Sequence, residues 1–401
     1  MRLWIDTAGA QAQSLFSLPP IERLRRSARK FIADTPVVLS GPDATPQVWP
    51  GAFTDANVAK LGVRLRKALA EGALVAVDGG NVIDPRLIGF LKSRTAPCVA
   101  ERGEGAQRAV ALSLQSDLVD AIPVDADSLC EVADALIAAG RISRVDEQEF
   151  PAFMDKLRRS IPYWIFAVND AAERRRLERQ MFWDNYKGST DLLTRYVYPP
   201  LVWPLVQLCT RWGIHPNAVT ILSIVLTFAA VPLFANGEFL AGFICAYAMS
   251  VLDSVDGKVA RLTLTDSKIG NVLDHGLDIV HPPFWYFAFA WGLGARSFED
   301  PLYQAAVWLI VFYVADRIVL GIAKHRLGFG LHAATRLDGT VRSFIARRNI
   351  TMTIMAVGVL LGFGAAGLYV ITAWQGVTFA WHSVRTVWLG FWVRERVRPV
   401  A

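Results

Sequence analysis

Four carboxylates in the second half of the chain have the spacing of metal ligands on two helices. Asp253 and Asp256 are three residues apart, and Asp274 and Asp278 are four residues apart. Residues three and four apart share one face of a helix, so each pair projects from one side. Carboxylates that converge raise one another's pKa unless a cation neutralises them, and hard oxygen ligands suit Mg²⁺ or Mn²⁺. The spacing therefore predicts a divalent-metal site.

Small residues lie on the same helical faces as these carboxylates. Gly257 and Ala260 follow Asp256 on the first helix, and Gly270 precedes Asp274 on the second. Such positions let a flat group, for example a nucleotide base or ribose, approach the backbone. A single Asp at a helix end is usually a cap or a solvated charge. Ionisable residues at membrane depth are costly and usually functional, so the set as a whole indicates a site.

The stretch from Asp253 to Asp278 also matches a family signature. The pattern D-x2-D-G-x2-A-R-x8-G-x3-D-x3-D is matched at every fixed position. His215-Pro216-Asn217 and Thr220 resemble the P-N-x-x-T that opens the first spanning helix of the same family. From about Asp184 to the C-terminus, the chain thus resembles the CDP-alcohol phosphotransferases. These integral membrane enzymes move a phospho-alcohol from a CDP carrier to a hydroxyl acceptor and release CMP.

The resemblance implies a role for each motif residue. Asp253, Asp256 and Asp274 would be the main ligands of two divalent ions, Mg²⁺ or Mn²⁺. Asp278 would complete the metal site and act as general base, with its pKa lowered by the neighbouring cations. Arg261 would pair with a phosphate or a motif carboxylate. The cytidine pocket would be formed by Gly257, Ala260 and Gly270, with Asn217 and Thr220 at its edge.

Arginines near the predicted active-site face have two explanations of equal weight. Arg342, Arg347 and Arg348 could bind an anionic acceptor. They also satisfy the positive-inside rule without any further role. The resemblance adds the expectation of a homodimer, which is the habit of the family.

Composition divides the chain into a soluble part and an apolar part. The protein has 401 residues, 53% of them hydrophobic, and the long apolar runs come only after Tyr198. The net charge of +6 is concentrated in arginine clusters near those runs, which suits an anionic lipid surface better than nucleic acid. The four cysteines show no paired spacing and predict buried thiols. The N-terminus lacks the pattern of a cleavable signal peptide, which predicts a cytoplasmic N-terminal domain.

The apolar part predicts six transmembrane helices and one interfacial helix. The stretch from Tyr198 to Trp212 contains three prolines and is short for a span, so it is predicted to lie at the membrane surface. The predicted spans are approximately 218–235, 238–262, 268–293, 302–323, 349–372 and 376–393. Basic residues fall almost entirely on one side of this path. Both termini and the active site are therefore expected on the cytoplasmic side of the inner membrane.

Residues 1–150 predict a soluble α/β domain with a parallel sheet. Short apolar runs alternate with helical patterns, for example Leu74 to Val77 followed by Pro85 to Lys92. The domain weakly resembles a nucleotidyltransferase, as in di-myo-inositol phosphate phosphate synthases. The stretch after the first strand, residues 6–13, has one glycine and no basic residue, whereas a triphosphate needs a glycine-rich loop with a cation. We therefore expect a degenerate domain, with an unusual active enzyme or an unrelated α/β domain as alternatives. Asp78 and Asp84 could be relics of a metal site, but turn or surface carboxylates are favoured.

Residues 151–197 predict a basic helical linker with an interfacial region, and residues 198–401 the six-helix transferase domain. Three charges within predicted spans, Asp316, Arg317 and Arg385, are expected to face the bundle or to pair with each other. His275 and His281 flank the carboxylates and are expected to be structural.

The resulting hypothesis is metal-dependent transfer from CDP-diacylglycerol to a polar acceptor such as an inositol or glycerol phosphate, in phospholipid biosynthesis. A first alternative keeps the chemistry but transfers from a soluble CDP-polyol to a lipid or polyol-phosphate acceptor. A second is a non-catalytic membrane scaffold or a transporter. The intact motif argues against lost catalysis, and carboxylates at one membrane face argue against transport.

Overall fold

The computed structural model describes residues 1–392 apart from 9–12, 32–34, 46, 48, 155, 156, 158, 187, 189, 266 and 267. The side chains of 29–31, 106, 268–275, 277 and 278 also lie outside the described part. The chain divides into two compact units. The first comprises Met1–Ala152 and Ile161–Asp184, and the second comprises Phe153–Ser160 and Asn185–Ala401.

The first unit is built on a seven-stranded sheet with the order β3-β2-β1-β4-β7-β6-β8. Its strands are β1 (Arg2–Asp6), β2 (Val37–Ser40), β3 (Phe53–Asp55), β4 (Leu74–Asp78), β6 (Cys98–Arg102), β7 (Ala109–Leu114) and β8 (Ser143–Arg144). Two-residue strands β5 (Val82–Ile83) and β11 (Ile165–Phe166) pair separately.

The sheet is mixed, which corrects the prediction of a parallel sheet. Strands β1, β2, β3 and β4 run parallel to one another, but β7 runs antiparallel to both β4 and β6. The physical reason is the short connection from β6 to β7, residues 103–108, because a parallel crossover needs a dozen or more residues. Gly103, with φ of +79°, makes the turn.

Helices cover both faces of this sheet and give the unit two cores. They are α1 (Pro20–Phe31), α2 (Leu61–Ala70), α3 (Pro85–Ser93), α4 (Leu129–Ala138) and α5 (Ala171–Asp184). Side chains alternate across a strand, so Leu3 and Ile5 pack with α1 and α3. Trp4 packs on the opposite face with α2 and α4.

The second unit is helical and contains a small hairpin of β9 (Phe153–Met154) and β10 (Arg159–Ser160). Its helices are α6 (Pro199–Arg211), α7 (Pro216–Ala235), α8 (Phe239–Leu262), α9 (Lys268–Gly292), α10 (Pro301–Leu327), α11 (Arg336–Val341), α12 (Arg348–Leu360) and α13 (Gly364–Val387). Within the described part, α7, α8 and α10 are long and apolar enough to cross a membrane. The total of six spans and the interfacial position of α6 stay predictions.

The break between the last two predicted spans is in the wrong place. The sequence predicted helices over 349–372 and 376–393, whereas α12 ends at Leu360 and α13 runs without interruption through residues 373–376. Gly362, with φ of +77°, ends α12. Its N–H bonds the carbonyl of Val359 over 3.0 Å, and the N–H of Phe363 bonds that of Gly358 over 2.6 Å. This is the hydrogen-bond pattern of a glycine C-cap.

Candidate functional site

Asp256 lies inside the bundle and is held by a side chain of the preceding helix. It is 5% exposed, and the Thr220 hydroxyl of α7 donates to its Oδ2 over 2.6 Å. Helices α7 and α8 pack closely along their length. The contact therefore joins the first helix of the predicted nucleotide pocket to the motif helix.

Asp253, one turn earlier on α8, contacts a cation from the other end of the domain. The Arg348 guanidinium, on the first turn of α12, donates to Asp253 Oδ2 over 2.7 Å. Both side chains are about one-fifth exposed, 17% for Arg348 and 21% for Asp253. A hydrogen bond between charged groups that are partly shielded from solvent is stronger than an ion pair on the surface. The sequence had given Arg348 only an acceptor-binding role or a topogenic one.

The second half of the motif lies on α9. Gly270, Asp274 and Asp278 fall on this helix, whose backbone is described, but their side chains lie outside the described residues. The convergence of the four carboxylates therefore stays a prediction. Among the described residues, no three His, Cys, Asp or Glu side chains form a group that could hold a metal.

Gly257 and Arg261 are neighbours on α8. A Cβ on Gly257 would lie 3.3 Å from Arg261 Nη1, so the glycine leaves room for the guanidinium. Arg261 Nε donates to the Asn185 side-chain oxygen over 3.1 Å. The predicted pairing of Arg261 with a phosphate or a motif carboxylate is untested. Ala260 is half-buried on the same helix.

A segment before α6 attaches to both the motif helix and the start of α12. The Lys258 ammonium lies 3.3 Å from the centre of the Tyr186 ring, and the Lys258 side chain is buried. Asp191 Oδ1 accepts from the Asn349 side chain over 3.1 Å. Burial raises the pKa of Asp191, but hydrogen bonds from Thr194 and Asn349 and the charge of Arg347 outweigh it and hold the pKa below its usual value.

Sequence reasoning did not find these contacts. Asp191 and Thr194 have the spacing of an N-cap residue and the N3 position of a helix. This local pattern could have predicted the hydrogen bond between them. The partner of Asp191 on α12 has no local signal, because it lies more than a hundred residues away. Arg348 and Asp253 likewise have no local signal, because they lie 95 residues apart.

The other predicted site residues occupy two helix starts. Asn217 is half-buried in the first turn of α7, on the same helical face as Thr220. Arg347 is the N-cap residue of α12, and Arg342 is buried just before it. A small, mainly apolar cavity lies beside Arg348, which is the one charged residue of its lining. The other lining residues are Phe234, Phe243, Pro282, Trp285, Tyr286, Thr351, Met352 and Met355.

The charges predicted within spans have partners other than each other. Asp316 of α10 and Arg385 of α13 are both buried, as predicted. Asp316 pairs with His382 of α13, whereas Arg385 pairs with Asp338 of α11. The Arg317 guanidinium lies 4.8 Å from the centre of the Tyr313 ring.

Three carboxylates occur near strand ends in the first unit. Asp6 and Asp78 are register partners at the ends of the parallel strands β1 and β4. Arg64 Nη2 donates to Asp6 over 2.9 Å, in a pair less than 10% exposed. Asp78 accepts from the N–H of Gly80, and burial together with the charge of Asp6 raises its pKa to about 6.

Asp84 is a structural carboxylate of the same unit. It caps α3 by accepting from the N–H of Arg86 over 2.9 Å, and it also pairs with the guanidinium of that residue. It is 2% exposed, so the surface position considered for it is wrong, while the turn role agrees with the geometry.

Comparisons with known proteins address the second unit. The family described as CDP-alcohol phosphatidyltransferase matches residues 213–392. Cholinephosphotransferase 1 from Gallus gallus is 27% identical over 166 residues, 38% of this chain and 48% of that protein. Phosphatidylinositol phosphate synthase from Mycobacteroides abscessus is 31% identical over 110 residues, 26% of this chain and 50% of that protein. The chain thus spans about half the length of these curated relatives.

One solved structure similar to this chain is phosphatidylinositol phosphate synthase from Mycobacterium tuberculosis with CDP-DAG bound. It aligns with 47% of this chain and 94% of its own, at 20% identity and a TM-score of 0.39. A score of this size adds no independent evidence for the fold.

Proposed function

We propose that the protein transfers a phospho-alcohol group from a CDP-alcohol to the hydroxyl of an acceptor and releases CMP, because residues 213–392 match the family described as CDP-alcohol phosphatidyltransferase. The preferred donor is CDP-diacylglycerol, and the preferred acceptor is polar, such as an inositol or glycerol phosphate. The single observation that carries the proposal is the intact motif on α8 and α9, with Asp256 buried against Thr220.

The donor set fits a hard divalent cation. Asp253 and Asp256 lie one turn apart on α8, and Asp274 and Asp278 lie one turn apart on α9. A protein cation, Arg348, already contacts Asp253, as expected for a carboxylate at a site that favours positive charge. In this proposal the four carboxylates hold two Mg²⁺ or Mn²⁺ ions. Bound there, such ions would supply positive charge for the pyrophosphate of the donor and for the departing CMP.

The chain's own residues supply orientation and proton transfer. The acceptor oxygen forms a bond to the β-phosphorus of the donor while the bond from that phosphorus to CMP breaks. Asp278 accepts the proton of the attacking hydroxyl. Gly257, Ala260 and Gly270 line the cytidine site, with Asn217 and Thr220 at its edge. Arg342, Arg347 and Arg348 bind an anionic acceptor.

Membrane placement follows from the apolar helices. Helices α7, α8 and α10 have the length and composition of spans. We place the active site and both termini on the cytoplasmic side of the inner membrane, because the basic residues of the connections lie there. A homodimer with contacts to membrane lipids completes the proposal, and no nucleic acid is involved.

The relatives' names leave the donor open, since one is a cholinephosphotransferase and the other a phosphatidylinositol phosphate synthase. Transfer from a soluble CDP-polyol to a lipid or polyol-phosphate acceptor is therefore the second candidate. The α/β unit favours it only if that unit makes the CDP-polyol. The nucleotidyltransferase resemblance of the unit stays a prediction.

The test is CMP release by the purified full chain in lipid, with Mg²⁺ or Mn²⁺. CDP-diacylglycerol is supplied in one series and CDP-inositol or CDP-glycerol in another, each with a panel of acceptors. Asp274→Asn is the inactive variant, and Asp300→Asn, which alters only the N-cap carboxylate of α10, is its control. Release from CDP-diacylglycerol that Asp274→Asn abolishes supports the proposal. Release only from a polar donor selects the second candidate, and release from no donor supports a non-catalytic scaffold.

A further inference from the structure

The connection between α10 and α12, residues 328–347, has little regular structure of its own. Its helix α11 has six residues, and a turn at 331–333 precedes it. So short a helix is not stable alone in water. This connection nevertheless carries Arg342 and Arg347 and leads directly to Arg348, the partner of Asp253. Another element must therefore fix its position.

One face of α13 supplies that support at three levels. The Trp374 indole N–H donates to the carbonyl of Phe344 over 2.8 Å. The Thr378 hydroxyl accepts from the N–H of Ala346 over 3.0 Å. The Arg385 guanidinium binds Asp338, as described next. Positions 374, 378 and 385 are separated by four and seven residues, so they share one helical face.

The contact between Arg385 and Asp338 is bidentate and buried. Arg385 Nε lies 2.7 Å from Asp338 Oδ1, and Nη2 lies 2.6 Å from Oδ2. The two side chains are 6% and 1% exposed. Asp338 also accepts from the hydroxyl of Thr335, the N-cap residue of α11. Loss of one member would leave the other charge buried without its counter-ion, so this pair holds α11 to α13 firmly.

Two tryptophans, Trp381 of α13 and Trp388 directly after this helix, lie beside the guanidinium of Arg385. The Arg385 guanidinium carbon lies 4.8 Å from the centre of the Trp388 ring and 5.9 Å from that of Trp381. Guanidinium groups stack on aromatic rings in this way. The two rings thus restrict the orientations of the guanidinium that binds Asp338.

Because α12 is short, its first turn, which carries Arg348, lies next to the part of α13 that holds the connection. With 13 residues, α12 rises only about 20 Å. Its first turn therefore lies beside Thr378, well before the end of α13, as the contact with Ala346 demonstrates. Arg348 is two residues beyond Ala346. A shift of the connection would move Arg348 away from Asp253 directly.

We propose that Arg385 and Thr378 are positioning residues, which hold the basic connection against α13 so that Arg348 reaches the motif helix and the acceptor phosphate. This inference rests on the proposed function for the role of Arg348. The structural part of it, that α13 fixes the connection, is independent of any activity.

The first measurement is trypsin cleavage of the full chain in lipid, with the cut sites after Arg336, Arg342, Arg347 and Arg348 followed by mass spectrometry. Arg385→Lys keeps the charge but loses the bidentate contact, and Thr378→Val removes the acceptor for the Ala346 N–H. Thr372→Val is the matched control, because that hydroxyl bonds the carbonyl of Ala305 on α10 and not the connection. We expect cleavage about tenfold faster in Arg385→Lys and about threefold faster in Thr378→Val, with Thr372→Val close to wild type.

If Arg385→Lys fails to fold, the double variant Asp338→Asn with Arg385→Gln keeps the test decisive, because it removes both charges of this buried pair. Unchanged cleavage in the variants, or equally fast cleavage in Thr372→Val, overturns the inference.

The second measurement is the kinetics of CMP release. We expect Arg385→Lys to raise the acceptor KM about tenfold while the donor KM changes less than about twofold. A general loss of structure would lower kcat and affect both KM values, which contradicts a positioning role. If wild type releases no CMP from any donor, the proposed function fails while the cleavage result still decides the positioning of the connection.

Discussion

Arg348 Nη2 lies 2.7 Å from Asp253 Oδ2, so the first carboxylate of the motif has a protein cation as its partner. This pair joins α12 to α8 across 95 residues of sequence. A divalent ion bound to Asp253 would be repelled by the positive charge of this guanidinium. The contact therefore links the metal site to the arginines proposed for the acceptor.

Replacement of Arg348 should strengthen metal binding. We expect Arg348→Gln to bind Mn²⁺ about tenfold more tightly than wild type, because about 1.4 kcal/mol of competing attraction is removed. Titration followed by electron paramagnetic resonance of free Mn²⁺ measures this without substrate. Arg347→Gln is the control, since it removes the same charge one residue away. Equal tightening in both variants would mean that only the general electrostatic field matters.

Replacement of Thr220 should weaken both the fold and the transfer. Thr220→Val removes the hydroxyl that donates to the buried Asp256, and loss of a hydrogen bond to a charged group costs about 1.5–3 kcal/mol. We expect a lower unfolding temperature and CMP release reduced about tenfold, with both restored in Thr220→Ser.

Thr227→Val is the control for this change, because that buried hydroxyl bonds only within its own helix, to the carbonyl of Ser223, among the contacts described. Thermal unfolding in detergent and the CMP assay measure the two effects. An equal loss in the control would show that removing any buried hydroxyl of α7 has the same effect, whether or not it contacts Asp256.

A methyl group on Gly257 should perturb the donor site through Arg261. The added Cβ would lie 3.3 Å from Arg261 Nη1, so the guanidinium must shift by a few tenths of an ångström. We expect Gly257→Ala to raise the donor KM about fivefold. Stability should not fall, because alanine favours a helix by about 1 kcal/mol over glycine. Gly321→Ala on α10, where nothing lies within 4 Å of the added Cβ, is the matched control for the kinetics.

The first unit should lose stability as the pH rises through the titration of Asp78. Burial and the charge of Asp6 raise the pKa of Asp78 to about 6 in the folded state, from a reference of 3.8. The folded state then binds more protons than the unfolded state between these values, so stability falls from about pH 4 to about pH 6 and is constant above that. The difference corresponds to about 2–3 kcal/mol.

Asp78→Asn should make this slope shallower and stabilise the unit near neutral pH, while Asp6, whose pKa burial also raises, keeps a contribution of the same sign. The amide oxygen can still accept from the N–H of Gly80. Hydrogen exchange of peptides from β1 and β4 in the full chain, corrected for the intrinsic effect of pH, measures the change. Asp117→Asn, at an exposed position, is the control. A slope as steep in Asp78→Asn as in wild type would assign it to another group.

Local patterns were sufficient to predict the elements that carry the site. Spacings of three and four residues placed Asp253 and Asp256 on one helix and Asp274 and Asp278 on the next, and the structure has α8 and α9 there. Alternating apolar runs predicted the α/β character of the first unit, and the apolar stretches predicted α7, α8 and α10. Each of these signals depends only on residues close in sequence.

Two features of the fold were predicted wrongly although the sequence carries a local signal for each. The antiparallel position of β7 in the sheet and the break at Gly362 escaped the sequence analysis. A G-F-G tripeptide marks that break, but the apolar run around it concealed the signal. The predicted helix over 349–372 would have put the start of α12 a full span away from the turn to the last helix. In the structure this start lies beside Thr378.

The sequence by itself therefore determined which residues the motif supplies and which helices carry them, because helical periodicity is a property of neighbouring residues. Only the tertiary structure decided that Arg348 meets Asp253, that Asp191 meets Asn349 and that Arg385 meets Asp338. Each of these pairs joins elements far apart in the chain. Their meeting depends on how whole helices pack, and that packing is set by the summed burial of many side chains and not by the two residues that bond.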